Sequence, residues 1–173
     1  CLPPEVVDLL DELNQKTFLW VELGLQTIHP ETSAAMNLCY TVSDYDDAVR
    51  RLQERGIRVV SHLILGLPGE TEEMMFKSLH HVCDTKPFGL KLHMFNLVRG
   101  SQMETTHPDY VSFESIDEYI DLMIRTIEQI PPEIVLHRIS GDAASPTHIA
   151  PEWSYKKRTL LNAIPKKQAE KNT

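Results

Sequence analysis

The sequence is short of cysteine pairs, of positive charge and of long apolar runs. Its 173 residues hold three cysteines, Cys1, Cys39 and Cys83. They are scattered and odd in number, with no CxxC or CxxxCxxC spacing. That argues against a disulfide framework and points to a reducing cytoplasm. Lys and Arg number 17 against 25 Asp and Glu, a formal net charge of -8. This balance disfavours a nucleic-acid footprint, although tRNA stays open as a partner. No apolar run approaches the roughly 18 residues of a membrane span, and no secretory signal opens the chain. An initiator Met is also missing: "CLPPEVVDLLDEL" runs straight into a helical pattern. The expectation is a piece of a longer protein, with some sequence ahead of Cys1.

What is present is ordinary globular composition, 42% hydrophobic and 24% charged, enough for one domain with a real core. Val6, Leu9, Leu10 and Leu13 recur at helical spacing behind Pro3 and Pro4, so 4–15 reads as a helix. "TFLWVELGLQ" (17–26) alternates with period two. Leu19, Val21, Leu23 and Leu25 take one face; Phe18, Trp20, Glu22, Gly24 and Gln26 take the other. A short helix is predicted near Pro30. A longer one is capped by Ser43, carries Asp44, Asp46 and Asp47 in its first turn, and stops at Gly56. Further strands are predicted at 57–65, 88–97 and 133–140, and further helices at 71–85, 115–130 and 152–164. Residues 98–113 read as a long polar connection, "GDAASPTHIAP" as a loop, and 165–173 as a flexible tail after a 1–164 domain. Strands alternating with helices, with no hairpin spacing, imply a parallel sheet of βαβ units. Four strands are too few for a closed barrel; a doubly wound sheet and a cut-down (β/α) barrel both fit.

In parallel α/β folds, ligands lie at the carboxyl ends of the strands. One face of this sheet carries Glu22, Gly24 and Gln26, then His62, then Lys91, His93 and Phe95, then His137 or Arg138 followed by Asp142. A buried parallel sheet is ordinarily Val, Ile and Leu on both faces. Burying such polar groups without partners costs several kcal/mol each, so a solvated functional lumen is the economical reading. No metal site is expected in this segment. His80 and His81 point apart on a helix, and neither HExxH nor a Cys/His cluster occurs. The G-x-S-x-G elbow of a nucleophilic hydrolase is absent too.

"SHLILGLPGETEEM" (61–74) places two glycines between a strand and a helix. It has neither the Lys-Ser/Thr of a Walker loop nor a third glycine. Glu70, Glu72 and Glu73 occupy the helix end that a phosphate would need. A neutral group read by backbone, or a structural turn, remains.

Taken together, "WVELGLQTIHPETSAAMN", "DAVRRLQERGIRVVSHLILGLPGET" and "GLKLHMFNLVRGS" resemble the radical S-adenosylmethionine superfamily, in particular its YhcC/YtqA-type subfamily. Oxygen-independent coproporphyrinogen oxidase and the elongator catalytic subunit are more distant relatives. The resemblance runs from Cys1 to about Ile164. It implies the C-terminal part of a partial (β/α)6 TIM-like barrel, with about four parallel strands alternating with helices. It implies an oxidoreductase-like parent that binds S-adenosylmethionine and a [4Fe-4S] cluster, abstracts hydrogen from an unknown substrate, and carries its cluster loop ahead of Cys1. This segment alone is then expected to be inactive and to bind neither cofactor. By match to the family, Gln26 and His62 approach the cofactor ribose, and the backbone of Ile64, Leu65 and Gly66 meets the adenine. Glu22 lines the lumen, with Lys91, His93, Arg138 and Asp142 as further lumen candidates. Relatives usually read "MNRGHT" where this chain reads "MNLCYT". Leu38 therefore replaces an arginine that helps hold the cofactor carboxylate, and leucine makes no charge-assisted pair. The expected partners are the missing half of the barrel, or a second copy docked on the open strand edge near Phe18–Leu25. A non-catalytic binding or scaffold protein of the same fold is the alternative function.

Overall fold

The computed structural model describes residues 2–141 and 146–171. Helix α1 (Pro4–Asn14) precedes strand β1 (Trp20–Gln26). The short α2 (Pro30–Ala35) and α3 (Val42–Gln53) lead to β2 (Arg58–Leu65), and α4 (Glu72–Asp84) leads to β3 (Gly89–Met94). The connection that follows holds a two-residue strand β4 (Leu97–Val98) and a short α5 (Gln102–Thr106). Then come α6 (Ile116–Ile127), β5 (Val135–Arg138) and β6 (His148–Ala150). A 3-10 turn at Glu152–Tyr155 precedes α7 (Lys157–Lys171).

Strands β1, β2, β3 and β5 form one parallel sheet in that order. This is the partial-barrel arrangement of four parallel strands alternating with helices. The helices bury the outer face. Leu25, Val59, Leu63, Leu65, Leu90 and Leu92 pack against Val49 and Leu52 of α3, Leu79 and Val82 of α4, and Ile120 and Met123 of α6. Ser61 shares that face, and its hydroxyl is satisfied by the Tyr45 hydroxyl at 2.5 Å.

Three local expectations change. The cap of α3 is Thr41, not Ser43: its hydroxyl accepts from the Asp44 N–H while the Asp44 carboxylate accepts from the Thr41 N–H. Thr-x-x-Asp closes the reciprocal box, so the helix starts one turn-fraction earlier. The stretch read as a polar loop supplies β6, which pairs antiparallel with β4 in a two-stranded ribbon. Finally, the last helix does not begin at Glu152. A 3-10 turn comes first, and α7 then runs through Pro165 to Lys171 instead of ending at Ile164.

The inner face curves strongly. In a flat sheet β1 and β5 lie three spacings apart, about 14 Å. Yet the Trp20 ring of β1 meets the His137 ring of β5 at 6.0 Å. His137 also meets Phe88, Phe88 meets Phe18, and Phe18 meets Trp20, all edge-on. The Arg58 guanidinium lies 3.9 Å from the Phe18 centroid. Gly89 makes room for this plug, since a methyl there would come within 2.5 Å of the His137 ring. The amino-terminal ends of the strands are thereby closed by aromatic rings, and the carboxyl ends stay open.

Candidate functional site

The period-two alternation of the strands lifts Glu22, His62, Lys91 and His93 onto the inner face, and the register brings them together. Gly24 pairs with His62, and His62 with Lys91. The Lys91 ammonium donates to both Glu22 oxygens at 2.6 Å. His62 Nε2 lies 2.9 Å from Glu22 Oε2, and the Trp20 indole N–H reaches Oε1 at 3.3 Å. The hydrogen bonds from Lys91 are the main cause that holds the Glu22 carboxyl down to about 2.

Burial lowers the His62 pKa, against the opposing pull of Glu22. At neutral pH, His62 therefore donates to Glu22 as a neutral imidazole. Its ring stacks on His93 with centroids 5.1 Å apart. Burial first, and then the neighbouring His62, Arg138 and Lys91, push His93 down to about 4. His93 Nε2 is buried with no hydrogen-bond partner among the described residues.

Above this cluster, at the carboxyl ends of the strands, opens a cavity of about 480 Å³. Gln26, His62 and Ile64 line its β1–β2 side; His93, Asn96 and Arg138 line its β3–β5 side. The cavity volume suits a metabolite-sized ligand. Gln26 stands at a bulge in β1 with φ 67°, a left-handed conformation that costs a non-glycine residue about 1 kcal/mol or more. Gly24 lacks the Cβ that would collide with the Gln26 amide.

Of the sequence candidates, Gln26, His62, Ile64, His93 and Arg138 line this cavity, and Glu22 and Lys91 join His62 in the cluster beneath it. Leu65 turns its side chain to the helices, where it is buried. Its carbonyl accepts from the Phe95 N–H at 2.9 Å, and the Gly66 carbonyl accepts from the Tyr110 hydroxyl at 3.0 Å. Each carbonyl keeps a second lone pair. Asp142 lies outside the described residues.

The "GLPGE" turn is left-handed at Gly66 (φ 75°) and Gly69 (φ 83°), and a methyl on Gly66 would come within 2.7 Å of the Phe113 ring. Its acids are engaged nearby: Glu70 accepts from the Thr27 hydroxyl, Glu72 binds Arg125 through both oxygens, and Glu73 pairs with Lys77.

Sequence reasoning missed Asn96, which follows β3 directly. It also offered His137 or Arg138 as alternatives, whereas a bulge opposite Leu90/Lys91 lets His137 join the plug while Arg138 lines the cavity. Leu38 lies in the turn after α2, where its N–H bonds the Ser33 carbonyl. Among the described residues no three His, Cys, Asp or Glu are placed to hold a metal ion, and no helix is long and apolar enough to cross a membrane.

Two family models match the chain in tandem: "Radical SAM superfamily" over residues 1–82 and "Radical_SAM C-terminal domain" over 87–170. The chain belongs to the radical S-adenosylmethionine superfamily. Among its relatives are the uncharacterized protein YtqA of Bacillus subtilis, 42% identical over 96% of this chain and 52% of that protein, and the protein YhcC of Escherichia coli K12, 36% identical over 88% and 50%. It spans about half the length of these curated relatives. Elp3 of the archaeon Methanocaldococcus infernus superposes with a TM-score of 0.77 over 96% of this chain and 40% of that one, at 19% identity. That match speaks for the fold. In this radical S-adenosylmethionine chain, the junction between the two matched regions falls just ahead of β3. Both matched regions thus contribute to the cavity, β1 and β2 from the first, β3 and β5 from the second.

Proposed function

We propose that this chain forms the cofactor- and substrate-facing wall of a radical S-adenosylmethionine enzyme. One observation supports the reading above others. Five candidate residues from four strands, Gln26, His62, Ile64, His93 and Arg138, line a cavity at the carboxyl ends of a curved parallel sheet, and one of them, Gln26, is held there in a strained backbone conformation. Strain of this kind persists where surrounding structure enforces it, and here β2 pairing and Gly24 do so.

The residues present fit the adenosine part of the cofactor. The Gln26 amide and the His62 ring offer hydrogen-bonding groups to ribose hydroxyls, and Ile64 offers an apolar surface beside them. When bound, S-adenosylmethionine with an iron–sulfur cluster would supply radical chemistry, and Gln26, His62 and Ile64 would hold its adenosine part. The described residues do not fit the cluster: Cys39 is exposed, Cys83 is buried, and no metal-binding group forms. The chain's own part is to orient and to exclude water. Lys91 and His62 fix Glu22, the aromatic plug closes the lower end, and the neutral His93 keeps one ring nitrogen without a partner among the described residues, available to a ligand. Cytoplasmic location accords with two free thiols among the described residues.

The test is anaerobic cluster reconstitution of the full-length protein, with S-adenosylmethionine and a reductant. 5′-Deoxyadenosine is the expected product, and its absence in a cluster-loaded preparation would sink the proposal. Leu38 favours a second reading, a relative of the same fold that binds without reacting. Calorimetry with S-adenosylmethionine separates the two. Binding gained only in Leu38→Arg marks a decayed cofactor site; binding by the unaltered protein supports the enzyme.

A further inference from the structure

The charges of the cavity wall do not cancel among the described residues. Glu22 is the acid of this wall among the described residues, and it is spent: Lys91 binds both of its oxygens, and His62 and Trp20 take the rest. Arg138 has no carboxylate partner among the described residues, yet it lines the cavity. Its charge is felt there, since it helps push both His62 and His93 toward their neutral forms. Among the described residues one positive charge is thus left in excess, inside a chain whose net charge is -8.

Two further groups are unspent on the same side. Among the described residues His93 Nε2 is buried without a partner, and so is Asn96 Oδ1, whose amide nitrogen already donates to the Met94 carbonyl at 2.9 Å. Buried polar atoms left open are costly unless something else completes them. A neutral imidazole nitrogen donates or accepts, an amide oxygen accepts, and a guanidinium donates to an anion. The strand order sets these three groups apart from Gln26 and Ile64: the former stand on or just after β3 and β5, the latter on β1 and β2.

We propose that the β3–β5 side of the cavity is a substrate subsite for an anionic group, carboxylate or phosphate, held by Arg138, with an adjoining hydrogen-bond donor of the same molecule bound between Asn96 Oδ1 and His93 Nε2. The inference rests on the enzyme reading above, because it places cofactor on the β1–β2 side and substrate opposite. It assigns the substrate a class: a small anion with a hydroxyl, amine or amide near its charged end. The flanking Met94, Phe95 and Val98 take its apolar part.

The experiment needs neither cluster nor reductant, so its outcome is independent of radical formation. The full-length protein is titrated with inorganic phosphate and, separately, with acetate, while the His62 and His93 ring resonances are followed by NMR. Variants lacking each histidine assign the signals. Saturable shifts of His93 are expected. Arg138→Gln should weaken binding about tenfold or more, and Arg138→Lys should restore most of it. Lys77→Gln, on the outer helix, should leave it unchanged. Arg138 is exposed, so these variants are expected to fold. Tighter phosphate binding names a phosphorylated substrate; tighter acetate binding names a carboxylic acid. Equal binding in Arg138→Gln would overturn the subsite. So would loss of anion binding on saturation with S-adenosylmethionine, because Arg138 would then serve the cofactor carboxylate. If anion binding holds and no 5′-deoxyadenosine forms, the radical reading fails and the anion site stands.

Discussion

At the scale of single residues, the site carries costs that the described residues leave open. Gln26 is the clearest case. Its φ of 67° is a conformation that glycine adopts freely. Gln26→Gly should therefore raise unfolding stability by about 1 kcal/mol in denaturant titration. The same change should weaken S-adenosylmethionine binding about tenfold in calorimetry of the full-length protein. A variant that lost stability would show that the side chain works structurally.

His93 carries a second cost, and its sign follows from its environment. His62, Lys91, Glu22 and Arg138 face it, and burial leads in lowering its pKa from 6.5 to about 4. Between those values the unfolded chain binds more protons than the folded one, so stability rises with pH across that window. His93→Phe should flatten the rise of Tm between pH 4 and 6.5; an unchanged slope would assign the dependence elsewhere. Both residues were legible in the sequence, because polar side chains repeated on one face of alternating strands mark a face that meets water or a ligand. Asn96 was not legible. It sits past the end of β3, where period no longer reports direction.

At the scale of elements, pattern carried the four parallel strands and the helices between them, and failed where structure is short or long-range. The β4–β6 ribbon is made of two and three residues separated by the whole of α6 and β5. No local period exists in such pieces, and their pairing is set by tertiary packing. The cap of α3 failed for a different reason. Thr41 and Ser43 are both competent caps with an acid three positions on, Asp44 and Asp46; Asp44 closes the box with Thr41, whereas Asp46 is taken by His81 of α4, a contact that no local pattern announces. The strand-to-helix turn after β2 was legible as a turn, since its two glycines punctuate it. The structure adds that they are unequal. Gly66 is left-handed and faces Phe113 and Ser112 at less than 3 Å from a built methyl, while Gly69 is left-handed with open space beside it. Gly66→Ala should thus cost about 3 kcal/mol, combining backbone strain with overpacking. Gly69→Ala should cost only about 1 kcal/mol. Equal losses in denaturant titration would mean that the Phe113 ring yields without cost.

At the scale of the whole molecule, the sheet stops at an open side. β1 is an edge strand of the four-stranded sheet. Several of the large apolar side chains that stay exposed belong to the segment that enters it: Leu9 and Leu13 on α1, then Phe18 and Trp20 leading into β1. Leu9 is 56% exposed and Phe18 is 59% exposed. An unpaired edge next to an apolar patch is a template for pairing with another chain. The curvature that brings Trp20 against His137 was not legible in the sequence, because no single strand encodes it. Trp20 is drawn against His137 while 42% of it stays exposed, so the start of β1 offers apolar surface. We propose that another strand-bearing unit covers this edge, either barrel sequence ahead of β1 or, for the 173-residue chain by itself, a second copy. Light scattering of that chain should then show a mass above the monomer that grows with concentration. The double variant Leu9→Glu/Leu13→Glu, which touches neither the sheet core nor the cavity, should shift it toward monomer. A clean monomer at high concentration in the unaltered chain would refute self-pairing at the β1 edge. Self-association that persists undiminished in the double variant would move the contact away from the α1 patch.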